Sequence, residues 1–105
     1  MQSLEINLGA KREGVLNEAL LAHFGSLTKM LLRRMFGFDL SIPVNLVGNK
    51  SEIDSFGKAL SSEKRYMDSY IRNGLNSPKT FKSKAQLSTA VRKFERTTGL
   101  KWPFK

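Results

Sequence analysis

The 105-residue chain contains no cysteine. A disulfide scaffold, a thiolate zinc site and a cysteine nucleophile are therefore excluded. Acidic residues are few, nine against 18 lysines and arginines, which leaves a formal charge of +9. Long apolar runs are also missing, since no stretch approaches the roughly 20 residues of a membrane span. The start, Met1-Gln2-Ser3-Leu4-Glu5, is not followed by the apolar core of a signal peptide. What is present is ordinary globular composition, 40% hydrophobic and 26% charged. The length suits one compact domain, residues 1–105. A soluble, cytoplasmic protein is the expectation.

The positive charge is concentrated. Residues 1–71 carry nine basic against eight acidic side chains, a net of +1. Residues 72–105 carry Arg72, Lys79, Lys82, Lys84, Arg92, Lys93, Arg96, Lys101 and Lys105 against Glu95 alone, a net of +8. Such a segment attracts polyanions: nucleic acid, anionic lipid or an acidic protein surface.

Leu4, Ile6 and Leu8 alternate with polar residues, the period of a half-buried strand. Gly9 to Gly14 supplies a turn. From about Glu13, Val15, Leu16, Ala19, Leu20, His23, Phe24, Leu27, Met30, Leu31 and Met35 fall at helical spacing. Gly25-Ser26 divides this run, and two helices read slightly better than one that tolerates the glycine. Phe38, Leu40, Ile42, Val44 and Leu46 alternate as a second strand, with Pro43 marking an edge. Ser51 can cap a helix carrying Ile53, Phe56, Leu60, Met67 and Ile71, which Asn73-Gly74 ends. Thr80 or Ser83 can cap the last helix, whose apolar face is Leu87, Val91 and Phe94. Gly99-Leu100 has the form of a Schellman stop. The order β-α(α)-β-α-α predicts an α+β fold, a small sheet of two or three strands covered by three or four helices.

Two segments resemble nucleotide-binding elements and fail on chemistry. Leu46-Val47-Gly48-Asn49-Lys50-Ser51-Glu52 looks like the guanine-recognition segment of small GTPases, but Glu52 stands where an Asp is required. Gly9-Ala10-Lys11-Arg12-Glu13-Gly14 is followed by Val15-Leu16 instead of the Lys-Ser/Thr of a phosphate loop. His23, the one histidine, lies on an apolar helical stripe without ligand-spaced partners. No carboxylates are spaced for acid–base or metal chemistry. An enzyme is not expected, nor is a metal or cofactor.

The last helix carries the functional signal. Its side away from Leu87, Val91 and Phe94 is basic, with Arg92, Lys93 and Arg96 beside Thr89, and Lys82 and Lys84 extend it. Such a face can lie along phosphates. In the tail, Trp102 and Phe104 stand between Lys101 and Lys105. They can stack on unpaired bases or fold back over the core, and the fold-back reading is the better of the two. The helix holding Lys29, Arg33 and Arg34 can lie on an anionic membrane, but its apolar side more simply faces the sheet.

The segments Ile53-Asp54-Ser55-Phe56, Tyr66, Gly74-Leu75 and Phe94-Glu95-Arg96-Thr97-Thr98-Gly99-Leu100-Lys101-Trp102-Pro103-Phe104 resemble small uncharacterised proteins of marine T4-like tailed phages. The resemblance covers the C-terminal half. It implies a compact phage accessory protein in the host cytoplasm, and it carries over no functional residue.

The expectation is a basic nucleic-acid-binding accessory protein working by backbone contact from Lys82, Lys84, Arg92, Lys93, Arg96 and Lys101, with Trp102 as a stacking residue. The alternative is a protein-interaction module docking through the same basic face and its Trp/Phe tail. A homo-oligomer is compatible with an edge strand and a small sheet.

Overall fold

In the computed structural model, residues 4–14, 17–36 and 44–104 are described. The elements run β1 (Leu4–Asn7), α1 (Glu18–Phe36), β2 (Val44–Val47), α2 (Lys50–Asn73) and α3 (Pro78–Thr98). The fold is α+β in the order β-α-β-α-α. The strands pair in parallel, Leu4 opposite Val44 and Asn7 opposite Val47. Leu8 N extends the pairing by donating to Val47 O at 2.7 Å. A parallel pair requires a crossover, which α1 provides. Most of the strand expected over 38–46, including Pro43, lies outside the described residues.

The helix over the first apolar run differs from expectation. It begins at Glu18, with Asn17 Oδ1 accepting from Leu20 N at 2.9 Å, and it passes through Gly25 and Ser26 unbroken. The reason is the buried stripe Phe24, Leu27, Thr28 and Leu32, which continues across the glycine at three- and four-residue spacing. Thr28 closes its own polar group by donating to Phe24 O at 2.9 Å.

Two caps also sit earlier than expected. Asn49, not Ser51, begins α2: its side chain accepts from Glu52 N at 2.9 Å, and Glu52 Oε1 accepts from Asn49 N at 2.8 Å. This reciprocal box satisfies two donors, which a serine inside the first turn cannot do. Ser77, with Pro78 following, begins α3 in place of Thr80 or Ser83. Thr80 is buried instead, donating to Gly74 O at 2.7 Å and meeting the Ser69 hydroxyl at 3.1 Å, so it ties α3 to the end of α2. Gly74 ends α2 at φ 81°. Gly99 ends α3 in the left-handed region at φ 74°, and Leu100 folds back into the core.

The core is joined by one aromatic ring from each helix and one from the tail. Phe24 stacks on Phe94 at 5.8 Å, Phe56 lies 5.9 Å from Phe94, and Trp102 meets Phe94 edge-on at 5.3 Å. Each such pair adds about 0.5–1.5 kcal/mol beyond the area buried. Ile6 and Leu8 of the sheet end and Ala59, Leu60, Leu87 and Val91 of α2 and α3 complete the core. This packing turns the outer side of the α2–α3 pair to solvent.

Candidate nucleic-acid interface

The expected contact residues Lys82, Lys84, Arg92, Lys93, Arg96 and Lys101 are all exposed. With Leu87, Val91 and Phe94 buried, helical geometry leaves cations on three sides of α3. The structure divides them between two concave surfaces. Lys93, with Gln86, Thr89 and Ala90, borders an open groove of about 940 Å³ against α2. From α2 the groove receives Lys58, Arg65 and two serines, Ser61 and Ser62, and one acid, Asp54. On the other flank, Lys84, Ser88 and Arg92 border a smaller pocket of about 440 Å³, walled by Tyr66, Trp102 and Phe104. Lys82 and Arg96 line neither surface, and Lys101 belongs to the tail.

None of these cations is ion-paired with a carboxylate among the described residues. Arg92 Nε donates to Ser88 O at 3.4 Å, a contact within its own helix. Lys58 and Arg65 were not expected from the sequence as contact residues. Their seven-residue spacing on α2 was a visible signal, but their approach to Lys93 depends on how α2 and α3 align.

Trp102 is not exposed on an open tail. It is 3% exposed, and its ring packs against Phe56 and Phe94. Its indole Nε1 donates to Glu63 Oε1 at 2.8 Å, and its backbone N donates to Glu95 Oε2 at 2.8 Å. Burying the indole while satisfying both donors is the fold-back arrangement. Trp102 is therefore not a free stacking residue of an open tail, and what it offers a ligand is the part of its surface that walls the pocket.

Two buried carboxylates, Glu52 and Glu63, have structural partners. Burial pushes the Glu63 carboxyl up, and the Trp102 N–H opposes this without cancelling it, so Glu63 titrates above the usual range. Burial also pushes Glu52 up, but hydrogen bonds from Arg12 and the Asn49 N–H, with the Arg12 charge, hold it below the usual range. Arg12 reaches Glu52 through Nη2 at 3.2 Å and Nε at 3.3 Å, which fixes the Gly9–Gly14 turn onto α2.

Among the described residues, no three His, Asp or Glu side chains are grouped to hold a metal ion. Nor is any helix long and apolar enough to cross a membrane. The chain matches no family model, and no curated protein or solved structure is significantly similar to it.

Proposed function

We propose that the protein is a non-enzymatic nucleic-acid-binding accessory protein that grips the phosphate backbone with α3 and the facing side of α2. One observation carries this reading: Lys84, Arg92, Lys93 and Arg96 of α3, with Lys58 and Arg65 of α2, stand exposed without carboxylate partners among the described residues. Their concentration matches the footprint of a polyanion partner. Gln86, Thr89 and Ser61 beside them can donate hydrogen bonds to phosphate oxygens. Phosphate contacts fix position and register without reading sequence, so weak sequence preference is expected. The non-enzymatic part is supported by the two buried carboxylates, since Glu52 is held by Arg12 and the α2 cap and Glu63 by Trp102, and by Asp54 being the one acid that lines the groove among the described residues.

The test is fluorescence anisotropy of labelled single- and double-stranded DNA and RNA, titrated at low and moderate salt. Micromolar or tighter binding that weakens steeply with salt is expected. Absence of binding at low salt would reject the reading.

A second reading, docking on a protein surface, has its own observation. Ile71, 72% exposed, and Leu75 lie at the α2–α3 turn with little cover, and exposed apolar side chains grouped in this way mark interaction sites.

A further inference from the structure

Between α2, α3 and the tail, three aromatic rings bound a pocket of about 440 Å³. That volume falls within the range of small-molecule sites, roughly 300–1,000 Å³. Its base is apolar, formed by Leu87 and Val91, and its mouth carries Lys84 and Arg92. Among the described residues no carboxylate lines it. Trp102 is immobilised by Glu63 and by the core rings, while Phe104 lies 5.9 Å from it at 56° and is only half-buried. The pocket thus has a rigid wall and an accessible one.

The same flank continues beyond the pocket. Tyr70 lies one helical turn past Tyr66 on α2, and Phe81 one turn before Lys84 on α3. Both are conspicuously bare, Tyr70 at 51% and Phe81 at 56% exposure. Helical spacing thus puts Tyr70 and Phe81 one turn beyond the pocket residues Tyr66 and Lys84. Exposed apolar side chains that lie together on one surface mark interaction sites. Flat apolar walls suit a flat ring, and cations at the mouth suit a ring that carries an anionic group.

Resting on the nucleic-acid reading above, we infer that this pocket receives an unpaired base of a single-stranded nucleic acid, with its phosphates on Lys84 and Arg92 and neighbouring bases against Tyr70 and Phe81. A base held in a duplex has both faces stacked on its neighbours and cannot enter. The aromatic flank would then confer a preference for single strands that the cations alone do not supply. Stacking on aromatic side chains tolerates every base, so the preference is for strand state and not for sequence.

The experiment uses the intact protein with three probes: a short oligothymidylate, an abasic oligomer of the same length and a duplex of equal length. Trp102 is the sole tryptophan and a wall of the pocket, so its fluorescence reports occupancy beside the anisotropy. The expected result is binding of oligothymidylate with a change in Trp102 emission, and affinity for the abasic strand lower by about tenfold or more, the scale of one stacked base. Phe104→Ala, with its fold checked by circular dichroism, should lower oligothymidylate affinity towards the abasic level and leave the abasic strand unchanged. If abasic strand, oligothymidylate and duplex bind equally with no change in Trp102 emission, the base pocket is overturned while backbone binding stands. If none of them binds at low salt, both proposals fall.

Discussion

Arg92 and Lys93 are neighbours in the chain, yet they border different surfaces. On the Lys93 side, the groove is open, about 940 Å³, and lined by small hydroxyl side chains, cations from both helices, Asp54 and the aliphatic Leu46 and Ile53. Among the described residues no aromatic ring lines it. On the Arg92 side, the pocket is about 440 Å³ and its walls are aromatic. The first surface suits a run of phosphates and has no means of sensing whether bases are paired. The second suits a flat ring with charge beside it. On the proposed reading one helix supplies both affinity and strand preference, because adjacent residues project about 100° apart around its axis.

Charge reversal on each flank tests this division with the largest effect. Lys58→Glu with Lys93→Glu should weaken single- and double-stranded ligands alike. Each phosphate contact accounts for roughly 0.9 log units of affinity per decade of salt, so losing two corresponds to about sixtyfold at ~0.1 M relative to ~1 M salt. Lys84→Glu with Arg92→Glu should instead penalise single strands more than duplexes. Anisotropy with both ligands reads the outcome, and equal losses throughout would erase the distinction between the flanks.

A smaller effect concerns the buried anchor of the pocket wall. Glu63 titrates higher folded than unfolded. Its contribution to stability is therefore fully present below the unfolded value of about 4.3 and is lost as pH rises through the folded value. Glu63→Gln keeps an acceptor for the Trp102 N–H and removes the charge. Its stability relative to the native chain should rise as pH rises through that window, as measured by urea unfolding at several pH values. Glu52 runs the opposite way, its contribution being lost as pH falls through its lowered folded value. Glu63→Leu, by contrast, orphans the indole donor and should cost about 1–3 kcal/mol.

The smallest effect sharpens the picture of the groove. Gly57 lines it in the interior of α2, and a Cβ built there meets nothing within 4 Å. Gly57→Ala should therefore stabilise the fold by up to ~1 kcal/mol, seen as a higher urea midpoint. Destabilisation would mean that the glycine serves the helix in some other way.

The basic segment and the stops at Gly74 and Gly99 were legible in the sequence, because charge and glycine conformation are local properties. The caps were less so. Asn49 and Ser51, or Ser77, Thr80 and Ser83, are all competent cap residues, and the choice was made by contacts outside their own turn: Glu52 reaching back to Asn49, and Thr80 turning inward to Gly74 and Ser69. Gly25 suggested a break because helix propensity is local, whereas the Phe24–Leu32 stripe that carries α1 through it is held by tertiary packing. The parallel pairing of the strands left no mark in the alternation pattern. The division of the cations was hidden for a similar reason. A single-helix projection places Arg92 and Lys93 on one polar side, and only α2 and the returning tail separate them into groove and pocket.

The most direct test of polyanion binding is the slope of log K against log salt for duplex DNA. If five or six phosphates are engaged, the slope should lie near −5, from roughly 0.9 per phosphate. A flat dependence would contradict it, and the basic surface would then be a contact for another kind of partner.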